Sequence, residues 1–307
     1  MTLYDVPAPA KINLFLHVTG RRPDGYHLLE TVFRFVDLCD VLTFDLRPDG
    51  QVQREGEVLP GLAPENDLVI RAARLLQRAT GTRAGVHIHY RKSIPAGGGL
   101  GGGSSDAATT LIALNRLWGC GLSRADLMKL GLSLGADVPV FIFGESAFAS
   151  GVGEQLTALP LPDRAYFIAQ PTESVPTAAI FSSPHLTRDS ESVIMSIFAD
   201  WQRKNSPKNG LFDTGMFGRN DLEAVAKAEF PSVLYMLNYM QNLGVTVRMS
   251  GSGSCCFVEF SEADQAVLYK QKFFGKIQGC AEDFYQMFRQ AWVCKGLHEH
   301  PLKNWLI

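Results

Sequence analysis

Between Gly97 and Gly103 six of seven residues are glycine, in the run Ile94-Pro-Ala-Gly-Gly-Gly-Leu-Gly-Gly-Gly-Ser-Ser-Asp106. Backbone comes close to a phosphate only where no Cβ intervenes. A helix N-terminus adds unpaired N–H groups and the positive end of a dipole. The run lies between an alternating strand pattern, Val86 to Lys92, and a helix pattern expected to start at Ser105 or Asp106. A flexible linker would explain the glycines, but not the amphipathic helix directly behind them. Anion binding is the expected chemistry.

The common nucleotide loops do not fit. A P-loop needs a lysine after its second glycine, and none follows these. Gly97-x-Gly99-x-x-Gly102 meets the dinucleotide spacing, but so many glycines make that match nearly unavoidable. The element after the helix is a second helix, with Ser123 and Asp126 spaced as a capping box. A dinucleotide fold needs a strand ending in an acid there. The protein-kinase loop fails at Ser104, where valine belongs, and no His-Arg-Asp or Asp-Phe-Gly follows.

Three further groups could act with the loop. Lys11 and Asn13 fall on the polar side of the alternating segment 11–18, whose Ile12, Leu14, Leu16 and Val18 face a core. That side is either a wet sheet face or a functional one. Asp137 stands at the mouth of a buried apolar run, Val138 to Phe143, read as extended; it is either a turn residue or a base. The glycine turn Ser250-Gly-Ser-Gly-Ser254 is either hairpin chemistry or a second backbone surface beside phosphates.

These groups need elements to hold them. Further strands are expected over 26–32, 40–46, 166–170, 245–249 and 255–260. Helices are expected over 66–79, with Asn66 or Asp67 as cap, from 123 to about 135, and over 221–227 and 232–243. Strands followed by helices without strict alternation give an α+β class. At 307 residues two domains are expected, 1–159 with the glycine loop and 160–307, divided at Leu159-Pro-Leu-Pro162. The polar stretch 187–218 and the tail 295–307 read as local elaborations.

Composition narrows the class. With 29 basic and 31 acidic residues the chain is no polycation, so nucleic-acid binding is not expected. No apolar run approaches the ~18 residues of a membrane span, and the start carries an early acid and proline where a secretion signal would be basic, then apolar. The six cysteines form no CxxC pair and read as free thiols in a reducing cytosol. A soluble cytoplasmic protein, monomer or homodimer, is expected. His87 and His89 alternate on one strand face, but with no third ligand nearby in sequence they read as a solvent-facing pair. No metal ligand is assigned.

Together, Pro9-Ala-Lys-Ile-Asn-Leu14, the glycine run and Arg248-Met-Ser-Gly-Ser-Gly-Ser254 resemble the three signatures of the GHMP kinase superfamily. The stretches 10–18, 20–28, Gly135-Ala-Asp-Val-Pro-Val-Phe141 and Asn220-Asp-Leu-Glu223 are similar to one branch of it. That branch uses ATP to phosphorylate the 2-hydroxyl of a cytidyl-methylerythritol diphosphate, in the non-mevalonate route to isoprenoids. The resemblance covers roughly residues 7 to 262. It implies a two-domain fold, a ribosomal-protein-S5-like N-terminal domain with a ferredoxin-like α/β-plait C-terminal domain.

The resemblance also implies roles. Asp137 becomes the general base and Lys11 its partner. Pro95, Ala96, Gly97, Gly98, Gly99, Leu100, Gly101, Gly102, Gly103, Ser104 and Ser105 wrap the triphosphate, and Asn66 lies near adenine. Asn13 contacts the methylerythritol hydroxyls. Tyr26 and Phe181 sandwich cytosine, and His27 bonds its edge. Magnesium is expected with ATP, with Ser104 or Ser105 able to offer a hydroxyl. Gly103 stands where the superfamily often has its first serine. The rival readings are a sister kinase for mevalonate or homoserine, and a non-catalytic binding member. Tyr26-His27 argues against the first, and the presence of both Lys11 and Asp137 against the second.

Overall fold

The computed structural model describes residues 1–56, 62–193, 195–204, 216–276 and 281–306. Two long antiparallel strands organise the first half, β1 (Thr2–Arg21) and β2 (His27–Arg47). The extended stretches expected at 26–32 and 40–46 are parts of this single β2. At one edge β4 (Gly85–Arg91) pairs with β2, and β3 (Val52–Gly56) runs parallel to β4. Between these two strands in sequence lies helix α1 (Leu68–Thr80). Asp67, not Asn66, caps it, accepting from the Val69 N–H at 2.9 Å.

Helices α2 (Gly102–Leu117), α3 (Arg124–Leu132) and α4 (Val138–Phe143) share one core with α1, β1, β2 and β4. Short strands β5 (Ala147–Ser150) and β6 (Gln155–Ala158) add to β2. The capping box at Ser123 and Asp126 forms as its spacing predicts.

The second half contains β7 (Ala165–Pro171), α5 (Thr177–Ser182), α6 (Met195–Lys204), α7 (Asp221–Glu229) and α8 (Pro231–Gln241). After these come β8 (Arg248–Met249), β9 (Cys256–Phe260), α9 (Ala263–Gly275), α10 (Ala281–Met287) and β10 (Phe288–Leu297). Its four strands lie in the order β10-β7-β9-β8, all antiparallel, which is the plait arrangement of the expected fold class. A second core fills the space between this sheet and its helices.

β10 also pairs with β2 at Gly296–Val36 and Leu297–Phe35, so the two sheets are continuous. Beyond it the tail returns to the first core, where Leu302 and Leu306 are buried. Arg124 donates to the carbonyls of Ile142 and Lys303 at 2.6 and 2.7 Å, and Arg116 lies 4.7 Å over the Trp305 ring. The described part of this tail is thus a core element and not an elaboration.

Two local expectations change. Val138 to Phe143 is helical, because six apolar residues carry no readable period, while Asp137 at the N-cap, Pro139 in the first turn and Gly144 in the left-handed region (φ 81°) bound a helix. The polar side of β1 is not wet either: Lys11, Asn13, Phe15 and His17 are all buried. The register of β1 slips between Asn13 and Leu16, which reorients the strand there.

Among the described residues no helix is long and apolar enough to cross a membrane. Cys39, Cys120, Cys255, Cys256 and Cys294 are free; Cys280 lies outside the described residues. If the tail completes the first core, Leu302→Ala should lower the unfolding free energy by about 2–5 kcal/mol. Denaturant titration reads this directly, and an unchanged midpoint would mean the tail only rests on the surface.

Candidate active site

The glycine loop begins after β4 and ends inside α2. The helix starts at Gly102, three residues before the expected Ser105, with Gly101 as N-cap at φ 71°. Gly101 has no side chain to cap with, so the first-turn N–H groups stay free for an anion. Helical glycine is unfavourable by about 1 kcal/mol per residue, and contact explains its presence here. A Cβ on Gly102 would lie 2.8 Å from Ile94 Cγ2.

Under the loop lies the late glycine turn, which joins β8 to β9. A Cβ on Gly99, itself at φ 71°, would sit 2.0 Å from the Ser250 carbonyl oxygen. The two turns bond directly: the N–H of Ser254 donates to Gly97 O and that of Cys255 to Gly98 O, both at 3.1 Å, and Ser250 Oγ donates to Gly99 O at 2.9 Å. Asn220 holds the turn from below, donating to the carbonyls of Met249 and Gly251 at 2.8 Å while its Oδ1 caps α7. The turn is both a hairpin connection and a second backbone surface.

Lys11 runs beneath this layer. Its backbone N–H donates to Leu100 O at 2.9 Å, and a Cβ on Gly101 would lie 3.0 Å from its Cε. Its Nζ donates to Asn13 Oδ1 at 2.7 Å and lies 3.2 Å from Asp137 Oδ2. Lys11 is nearly enclosed, with a side chain 4% exposed, whereas that of Asp137 is 36% exposed. Because α4 is a helix, Asp137 occupies its N-cap, and the carboxylate makes no capping bond and is left to face Lys11. Asn13 Nδ2 donates on to Thr31 Oγ1 at 2.9 Å.

A buried charged group anchors the other side of the loop. Lys92 Nζ bridges Asp40 and Asp106, and Asp106 also accepts from the Tyr90 hydroxyl. Burial pushes Asp106 up to about 7, with Lys92 pulling the other way. Burial alone would lower Lys92, but the two carboxylates hold its ammonium above its ordinary value.

These groups line a cleft of about 930 Å³, within the range of small-molecule sites. Lys11, Asn13, Asn66, Asp137 and the loop from Pro95 through Ser104 all border it, as do Tyr26, His27 and Phe181 at its far end. Ser105 does not. With α2 starting at Gly102 it lies one turn further in, fully buried, its hydroxyl without a hydrogen-bond partner among the described residues.

Comparison with known proteins agrees with this geometry. Residues 67–145 match the N-terminal domain of the GHMP kinases and residues 206–274 their C-terminal domain. A 4-diphosphocytidyl-2-C-methyl-D-erythritol kinase of Bordetella parapertussis is 56% identical, covering all of this chain and 99% of that one. One of Cupriavidus taiwanensis is 55% identical over 86% of this chain and 87% of its own. The chain belongs to the 4-diphosphocytidyl-2-C-methyl-D-erythritol kinase family. A crystal structure of a kinase of that name superposes with a TM-score of 0.75 at 32% identity, over 96% of this chain and 99% of the other. A homoserine kinase from Cytophaga hutchinsonii, 16% identical with a TM-score of 0.65, shares the fold.

At the far end of this kinase's cleft, Phe181 packs on the His27 ring, centroids 5.0 Å apart, while Tyr26 is 64% exposed on the rim. Sequence reading passed over Arg188, inside the polar stretch it could not interpret. Its Nε donates to His27 Nε2 at 3.1 Å, and its Nη2 reaches the carbonyls of Phe181 and Ser183 at 3.2 and 2.8 Å. A lone arginine among polar residues carries no sequence signal. Accepting at Nε2 leaves Nδ1 to carry the imidazole proton. Burial, then the charges of Arg188 and Arg21, keep the His27 pKa below its ordinary value, favouring the neutral ring.

Gly99→Ala should strain the left-handed backbone by about 1–3 kcal/mol and push the two turns apart. The expected outcome is a lower Tm and at least tenfold weaker ATP binding by calorimetry. A variant with both at wild-type values would show that this close approach does not matter.

Proposed function

We propose that this chain transfers the γ-phosphoryl group of ATP to the 2-hydroxyl of 4-diphosphocytidyl-2-C-methyl-D-erythritol, giving the 2-phosphate and ADP in the methylerythritol phosphate route to isoprenoids. The observation that carries the reading is the 3.2 Å Lys11–Asp137 pair at the edge of a glycine-lined cleft. The names of its relatives and the aromatic far end of the cleft supply the acceptor.

The step needs an acceptor in line with the phosphorus, a place for its proton and donors for the phosphate charge. In this reading the substrate oxygen forms a bond to the γ-phosphorus, the bond from that phosphorus to the β,γ-bridging oxygen breaks, and ADP leaves. The hydroxyl proton passes to the Asp137 carboxylate. Lys11 holds that carboxylate toward the acceptor and offers positive charge beside the transferring group. The first-turn N–H groups of α2 and the loop backbone cradle the triphosphate, with Asn66 at the adenine side. Magnesium would take oxygen ligands largely from phosphates and water, and the Ser104 hydroxyl on the cleft wall fits as the protein's own donor. Bound there, it would neutralise phosphate charge.

Asn13, already fixed by Lys11 and Thr31, presents its amide to the methylerythritol hydroxyls. Tyr26, Phe181 and His27 take the cytosine, with His27 Nδ1–H as donor to its edge. Arg188 is a positioning residue behind them: it sets the His27 tautomer and ties α5, which carries Phe181, to that ring.

ADP release should be followed with magnesium and ATP on the cytidyl substrate, mevalonate, homoserine and galactose separately. Turnover on the first alone is expected; turnover on another alcohol would overturn the acceptor, and none at all with ATP still bound would leave a binding protein. Asp137→Asn should lower kcat by about 10²–10⁴ with ATP affinity within a few-fold, as for a lost general base. Lost ATP affinity instead would make Asp137 structural. Arg188→Ala should raise KM for the cytidyl substrate about tenfold, the scale of one buried polar group left unpaired, with KM for ATP unchanged. Equal loss toward both substrates would count against a positioning role.

A further inference from the structure

His87 and His89 stand on the outer face of β4, opposite the buried Val86 and Ile88. Sequence alone offers them no third ligand. The sheet supplies one, because β3 runs parallel to β4 and pairs Glu55 with His89. Glu55 Oε2 lies 3.4 Å from His87 Nε2 and 3.8 Å from His89 Nδ1. One ligand atom from each of the three residues falls within 4.8 Å of the others, and the imidazole centroids are 4.5 Å apart.

The two Glu55 separations are close to those of a coordination shell. Zinc binds imidazole nitrogen and carboxylate oxygen at about 2.0–2.2 Å, so the edge of its tetrahedron is about 3.4 Å. A fourth residue makes the arrangement directional. Asp45, on the β2 side, approaches His89 Nε2 with Oδ2 at 3.3 Å. A proton on Nε2 pointing at Asp45 leaves the Nδ1 lone pair facing Glu55. An outer carboxylate on a metal-binding histidine fixes the ring and its tautomer in this way.

We infer that Glu55, His87 and His89 bind a zinc-class divalent transition metal on the outer face of the sheet, with Asp45 orienting His89 and water completing the shell. Two imidazoles and one carboxylate suit zinc or its transition-metal neighbours better than magnesium, which prefers oxygen alone. The site is separate from the phosphate cleft: none of its residues borders that cleft. It has a mechanical consequence. β3 is an edge strand, held on the inner face by Arg54, which pairs with Asp67 at 2.9 Å and lies 4.5 Å over the Tyr90 ring. An ion on the outer face fastens the same strand from the other side.

The test is calorimetric titration of the full, untagged, chelator-treated chain with zinc chloride, alone and with excess magnesium chloride. One zinc equivalent is expected, undisturbed by magnesium. His89→Gln and Glu55→Gln should each weaken it at least tenfold, and Asp45→Asn should weaken it about 10–100-fold through the histidine it orients. ADP formation from magnesium ATP should stay at the wild-type rate in all three variants, which also shows that they fold. Displacement of zinc by magnesium, or unchanged zinc affinity in His89→Gln, would overturn the site.

Discussion

Two stretches of backbone, more than 150 residues apart in sequence, lie against each other, joined by backbone N–H groups and the Ser250 hydroxyl. At Gly99 a single methyl group would sit 2.0 Å from the Ser250 carbonyl. This contact holds the loop directly ahead of α2. Gly97 and Gly98 accept from the late turn, and three residues on Gly101 turns left-handed and the helix begins. Lys11 is then set from above by the Leu100 carbonyl and from the side by Asn13. The glycines therefore do more than make room for phosphate: they let three backbone segments meet, and the free helix N-terminus faces the space that remains.

The same economy appears in the charged groups. Lys11 is nearly enclosed, and an enclosed ammonium needs a counter-charge or strong acceptors. It has both: Asn13 two residues along the same strand, and Asp137 at the start of α4, far away in sequence. Asp137 keeps a third of its side chain open to the cleft, so the pair is closed toward the protein and open toward a ligand. In the Lys92, Asp40 and Asp106 trio both carboxylates are fully enclosed and only the Lys92 side chain is slightly exposed. The trio costs desolvation, and what it fixes is position: it fastens the first turns of α2 to β2 and to the end of β4.

How far the sequence could be read follows from these contacts. The glycine loop, the lysine strand and the Ser123 capping box were legible because each is a local pattern with a local cause. The α+β class and the plait half followed from the order of elements and the resemblance. Val138 to Phe143 was misread because a six-residue apolar run has no period, and its end residues decide the matter. The start of α2 was placed three residues late because glycines give no helix signal of their own, and so Ser105 lies further into the helix than its sequence position suggests. The wet alternative for Lys11 and Asn13 falls because what covers that face is remote in sequence: the glycine loop and Asp137 over Lys11, and Ser250 beside Asn13. Arg188 and Glu55 were invisible because each acquires its partner only through tertiary pairing.

Continuity of the sheet gives these separate contacts a common frame. β2 carries Thr31 behind Asn13, Asp40 beneath Lys92 and Phe35 beside the incoming β10. β10 in turn pairs with β7, and β7 with β9, whose preceding turn supports the glycine loop. A path of hydrogen-bonded backbone thus runs from the base of the Lys11 layer, through the C-terminal sheet, and back to the loop above it. The loop and the strand beneath it are tied twice, once by direct contact and once through the sheet. A displacement of the C-terminal sheet against β2 would have to stretch that second connection. The position of the phosphate cradle relative to Lys11 and Asp137 is therefore set by the whole sheet as well as by the glycine loop.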